Sequence, residues 1–330
     1  MRIDPQNVQE INGDLAKTRK AMIILGCSFA EGRGAFDTPL VDEVHPKRGK
    51  HWGDCNYVNL ELTPDLAKSL TVKHGIKYPE IFTEHSNNME RSNSFGVKLA
   101  ERLGYTPVMF ARSGGGNKGS IEKLTYVPVD WDLADEKIVL FCPTDMNRID
   151  VDKNSLDGDM CTFNYPRNFY ESIWASPHPE DPDLWNAWYD MVADPDRYVL
   201  SSYVKSFAQL TQWCKHYGAQ LISFAAFGKA VTLEEVKRSL NLSSFDDEFI
   251  SQLPWDSFVE IDGHDNFFSL AMSQETAYDD VMDDKSNMFE FVNLPEEKIT
   301  CKWLMPCGHP SARAHAYLAD KLYEIIQAKQ

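Results

Sequence analysis

The sequence predicts an α/β fold built on a parallel sheet, and three observations carry that prediction. Short apolar runs at residues 22–25, 106–110, 137–142 and 220–227 have the length and the β-branched or aromatic content of buried strands. Amphipathic helical periods stand between them at 94–103 and 199–216. Three of the runs stop abruptly in polar loops, as strands do at the carboxyl edge of an open sheet, where α/β folds place their ligands.

The first run ends at Gly26 and passes into Cys27, Ser28, Phe29, Ala30, Glu31 and Gly32, a tight turn carrying a polar nucleophile. Residues 33–91 follow without a persistent helical period, interrupted by Pro39, Pro46, Pro64 and Pro79, and read as a long insertion. The helix at 94–103 has Phe95, Leu99 and Leu103 on one face and Gly104 placed to end it. Behind the next strand lie Ser113, Gly114, Gly115, Gly116 and Asn117. Adjacent glycines let backbone N–H groups converge on an oxyanion, although such a run serves equally as a flexible turn. No Gly-Lys-Ser/Thr follows at the spacing of a phosphate-binding loop.

The strand at 137–142 is broken by Pro143 and continues into Thr144, Asp145, Met146, Asn147 and Arg148. Residues 150–198 read as a second insertion. Its acidic start lacks the glycine and closing glutamate of a calcium loop, and its aromatic part holds Trp174, Trp185 and Trp188. Those rings suit a sugar substrate, while packing is the commoner use of tryptophan. The helix at 199–216 is stopped by Gly218, and a helix opens at Thr232 with Glu234 and Glu235 in its first turn. Residues 241–300 read as a third, irregular insertion, in which Asp279, Asp280, Asp283 and Asp284 could bind a divalent ion, although a solvated acidic loop is the commoner identity of such a run. The chain closes on a helix capped by Ser311 and docked through Ala314, Tyr317, Leu318 and Leu322, with His309 in the loop before it. A histidine so placed can act as a base, although a solvent-facing loop histidine without a role fits this stretch equally. His315, inside the helix, reads as a packing or surface residue.

Composition bounds the partners. At 330 residues, 43% hydrophobic and 25% charged, the chain can bury a full core, and one domain over 1–330 with the three insertions is expected. A net charge of -17 leaves no basic face for nucleic acid and repels anionic lipid, so neither partner is expected. The 7 cysteines include no CxxC pair and no zinc spacing, which points to reduced thiols, with Cys142 and Cys214 as small core residues. Residues 1–20 are polar, and the apolar run after them is too short for an export signal or a membrane span. A soluble, cytoplasmic protein is the expectation.

These blocks, in this order, resemble the SGNH (GDSL-like) hydrolase superfamily. Residues 26–32 are similar to its first block and imply Ser28 as nucleophile. Residues 113–117 are similar to the second, implying Gly115, with Gly114 beside it, as oxyanion donors together with the Ser28 N–H. Residues 143–148 occupy the third block, whose asparagine side chain completes the hole. Gly308, His309, Pro310 and Ser311 resemble the fifth and imply His309 as base. The resemblance implies a three-layer α/β/α sandwich and no metal or organic cofactor. Three positions depart from it: Cys27 replaces the first-block aspartate, Asp145 stands where the asparagine is usual, with Asn147 two residues on, and Pro306 replaces the aspartate before the histidine. An ionised Asp145 would repel an oxyanion, and loss of one donor removes on the order of 3 kcal/mol of transition-state stabilisation.

The expected function is therefore a serine ester hydrolase acting on a small ester, with a carbohydrate O-acetyl group favoured by the tryptophans. Acyl transfer to an acceptor other than water would use the same residues. The alternative is a catalytically degenerate scaffold of the same fold that binds or builds, its insertions contacting protein partners. Because Gly-Cys-Ser-Phe segments resemble parts of tailed-phage proteins, that alternative includes a virion component.

Overall fold

In a computed structural model of the chain, residues 9–10, 19–32, 35, 91–111, 116–126, 134–146, 148–152, 160–164, 194–228, 231–240, 244–274, 303–304 and 309–329 are described. The five-stranded sheet runs β1 (Gln9–Glu10), β3 (Thr106–Met109), β2 (Lys20–Gly26), β4 (Glu136–Cys142) and β7 (Gln220–Ser223) from edge to edge. Short β1 lies antiparallel on β3, and the other four strands are parallel. A separate antiparallel pair joins β5 (Arg148–Asp152) to β6 (Met160–Asn164).

Sequence periodicity explains why the sheet is covered on both faces. Along β2, Met22 and Ile24 enter one apolar cluster while Ala21, Ile23 and Leu25 enter the other. Ile138, Leu140 and Cys142 alternate with Val139 and Phe141 along β4 in the same way. The first cluster is closed by α2 (Phe95–Leu103), α7 (Phe267–Ser273) and α8 (Ala312–Lys329), and the second by α4 (Pro195–Tyr217) and α5 (Leu233–Leu240). The result is an α/β fold with helices on either side of a parallel sheet.

Helix ends follow local chemistry. Ser94 accepts from the Val97 N–H at 3.4 Å, and Gly104 and Gly218 end α2 and α4 in the left-handed conformation. Thr232 and Glu235 form a reciprocal capping box: the Glu235 N–H donates to Thr232 Oγ1 at 3.3 Å, and the Thr232 N–H donates to Glu235 Oε2 at 3.1 Å. α4 begins at Pro195, earlier than the apolar period at Val199 indicates, because Asp194 caps it through the Arg197 N–H at 3.1 Å with proline at the first position.

Two expectations about element limits are corrected. β7 ends at Ser223, not at 227: Pro143 accepts from the Ala226 N–H at 2.7 Å but has no N–H to return, so the ladder with β4 stops there. Within 241–300, residues 244–274 are not irregular. They form α6 (Ser244–Ser251), a 3-10 turn at Trp255–Ser257 and α7, whose Phe267, Phe268, Leu270, Ala271 and Met272 are core residues. α7 is apolar nearly all round, so it shows no amphipathic period in the sequence.

Candidate active site

The strand order sets the position of the site. β2 is flanked by β3 on one side and β4 on the other, so chains leaving the carboxyl end of β2 enter the crevice where connections diverge. β2 stops at Gly26, whose φ is +147° and whose missing Cβ would stand 2.5 Å from the Cys142 carbonyl oxygen and 2.8 Å from Ala30 Cβ. Only glycine lets the chain turn this close to β4. The turn delivers Ser28 as the first residue of α1 (Ser28–Glu31), at the head of that short helix.

From the other end of the chain comes His309. The Ser311 N–H donates to the Trp303 carbonyl at 2.8 Å, and Ser311 caps α8 by accepting from the Ala314 N–H at 3.4 Å. That fixes the residues just before α8 against 303–304, where Leu304 bridges Pro310. His309 Nε2 lies 2.8 Å from Ser28 Oγ, although the two residues are 281 positions apart. Each is only 5% exposed. The Phe29 ring packs on the imidazole at 5.2 Å between centroids, and Phe227 backs Phe29 at 5.1 Å. With its ring proton on Nδ1, the imidazole accepts the serine proton at Nε2, the arrangement a hydroxyl nucleophile needs.

Three groups around this pair were not assigned roles from sequence. Beyond Gly26 the β2 backbone no longer meets β4, and the Asn117 side chain takes its place. Asn117 Nδ2 donates to the Thr144 carbonyl at 2.9 Å, and the Thr144 N–H donates to Asn117 Oδ1 at 2.9 Å. A carboxamide thus serves both sides of one peptide unit, spanning from the loop after β3 to the loop after β4 across the end of β2. Ser120, in α3 (Asn117–Glu122), donates its hydroxyl between the Gly26 and Gly116 carbonyls at 3.1 and 2.9 Å, which satisfies the last β2 acceptor. One turn after Ser28, the buried Glu31 carboxylate receives Arg91 Nη2 at 2.7 Å and Nε at 3.2 Å. Asn117 stands in the sequence as an Asn after a glycine run that opens a helix, which is the available signal; its partner Thr144 is non-local.

Asp145 is half-buried beside the loop after β7, where a Cβ added to Gly228 would lie 3.2 Å from Asp145 Oδ2. The Cys142 thiol, level with Gly26 on β4, has its pKa pushed well above the ordinary range by burial, with Cys27 adding to it, so it stays protonated and offers no competing thiolate. Gly114, Gly115, Asn147, Pro306, Trp174, Trp185, Trp188 and the acidic run from Asp279 to Asp284 lie outside the described residues. Among the described residues no helix is long and apolar enough to cross a membrane. No protein-family model matches the chain, and neither does any curated protein or solved structure.

Proposed function

We propose that the protein is a serine ester hydrolase of the SGNH type, acting on a small ester. The observation that carries this reading is the 2.8 Å contact between Ser28 Oγ and His309 Nε2 at the sheet's switch point. Ser28 Oγ attacks the ester carbonyl carbon as its proton passes to His309 Nε2. The tetrahedral oxyanion collapses, the C–O bond to the alcohol breaks, and the departing oxygen takes the proton from His309. Water then adds to the acyl-serine, giving its proton to Nε2. Collapse of that second intermediate releases the acid and returns the proton to Ser28 Oγ, so the enzyme is regenerated without a redox partner. A carbohydrate O-acetyl group is the proposed substrate class, on the strength of the tryptophans at 174, 185 and 188 in the sequence.

A second reading, a scaffold that binds and does not turn over, is favoured by one observation. An ionisable Asp145 stands where a neutral donor is needed. Hydrolysis of p-nitrophenyl acetate and labelling by a fluorophosphonate separate the two. The esterase reading expects turnover and labelling in the wild type, no labelling in Ser28→Ala, and turnover reduced to that background in both Ser28→Ala and His309→Ala. A wild type that neither labels nor exceeds the Ser28→Ala rate refutes it.

A further inference from the structure

The loop after β4 holds a buried polar atom that the described residues leave unused. Thr144 is 4% exposed, and among the described residues its Oγ1 makes no hydrogen bond. Buried hydroxyls are almost always paired, and an exception at a candidate active site calls for a ligand atom to complete it. We propose that the Thr144 hydroxyl is the side-chain donor to the oxyanion, the role Asp145 cannot fill; this rests on the esterase reading above.

Placement supports it. The β2–β4 register ends at the pair Gly26 and Cys142, so Ser28 and Thr144 each lie two residues beyond the last paired position of neighbouring strands. Leu140 and Cys142, on the strand that leads to Thr144, face the layer containing Phe29, the ring that packs on His309. The Pro143 carbonyl, one residue earlier, accepts from the Ala226 N–H at 2.7 Å, which ties this loop to the segment after β7. Both backbone groups of Thr144 are held by Asn117, which leaves the hydroxyl on a rigid mount and keeps it available. A fixed, neutral donor costs no reorganisation when charge develops, which is the condition for strong oxyanion stabilisation. Asp145 does not meet this condition: an ionised carboxylate can only accept, and its Oδ2 lies beside Gly228 in the loop after β7.

The test compares Thr144→Val, which keeps the shape and removes the donor, with Thr144→Ser, which keeps the donor. Thr144→Val is expected to lower kcat for p-nitrophenyl acetate by about 10²–10³-fold, and to slow fluorophosphonate labelling with it. KM should stay within about threefold, since the lost bond forms only in the transition state. The melting temperature should not fall, because valine removes an unsatisfied hydroxyl. Thr144→Ser should recover most of kcat. Wild-type kcat in Thr144→Val overturns the proposal while leaving the esterase reading intact, as does an equal loss in both variants accompanied by a lower melting temperature. A wild type as inert as Ser28→Ala overturns both readings together.

Discussion

Asn117 offers the sharpest test of how the crevice is built, because its side chain does work that backbone does elsewhere in the sheet. Replacing it by leucine keeps the volume and strands the Thr144 N–H and C=O, both buried and both bonded at 2.9 Å in the native protein. Each orphaned group costs about 1–3 kcal/mol, so the variant should lose about 2–6 kcal/mol, a large share of the stability of an ordinary domain. Asn117→Asp separates the two bonds. An ionised carboxylate still accepts from the Thr144 N–H but faces the Thr144 carbonyl as a second acceptor; a protonated one restores the donor. Folding therefore favours the protonated acid and raises its pKa above the unfolded value. The sign follows: the native contact is present below the unfolded carboxyl pKa, near 4, and is lost as pH rises through the folded value. Urea midpoints between pH 4 and 8 measure this. Relative to wild type, Asn117→Asp should weaken steadily across that range, while Asn117→Leu should be weak throughout. A leucine variant within about 0.5 kcal/mol of wild type, or an aspartate variant whose deficit does not change with pH, would show that the bridge is dispensable.

Two further outcomes follow from the layers on either side. An alanine Cβ at Gly96 would come 2.8, 2.9 and 3.0 Å from Cδ1, Cγ1 and Cγ2 of buried Ile24, so Gly96→Ala should lower the melting temperature, and in an Ile24→Ala background, where those atoms are gone, it should cost much less; an additive double mutant refutes the contact. Tyr105 has its pKa pushed up to about 12, by burial first and then by the bond its hydroxyl donates to Glu136 Oε2 at 2.9 Å. That contribution is complete below about pH 10 and is lost as pH rises towards 12, so Tyr105→Phe should flatten the alkaline limb of a stability–pH curve, read by chemical denaturation.

What the sequence revealed of this architecture divides by range of interaction. The strand at 22–25, the terminators Gly104 and Gly218 and the cap at Ser311 are local signals, each read from neighbours within four residues, and the described structure has all of them. α7 was invisible because Phe267, Phe268, Leu270, Ala271 and Met272 leave no polar face to mark a period. The Asp262–Gly263 pair is a local signal of the same kind: both residues have positive φ, at 52° and 81°, and Ile261 and His264 exchange 2.9 Å bonds across them, the two-residue hairpin that Asp-Gly favours. The Asn117–Thr144 bridge could not be read, since which carboxamide replaces a missing strand depends on where β2 ends in space.

The same distinction explains how Ser28 and His309, 281 residues apart, are held within hydrogen-bond reach. Ser28 sits on α1, and α1 is tied through Glu31 to Arg91, in the helical turn that leads into α2. The Phe95 N–H at the start of α2, which no intrahelical acceptor could satisfy, donates to His315 Nδ1 at 3.1 Å. His315 is fully buried, stacked on Phe95 at 5.8 Å and met edge-on by Phe267 at 4.9 Å, so it anchors α8 to α2. His309 stands just ahead of α8, in the loop that leads into it, and its ring returns to Ser28. The contacts therefore close a ring, from Ser28 through Glu31, Arg91, Phe95, His315 and His309 back to Ser28. In such a ring the length of the chain between serine and histidine is immaterial to their separation. Ala314 and Leu318, beside His315 on α8, enter the same apolar cluster as Phe95 and Phe267, so packing and the His315 bond hold α8 on α2 together.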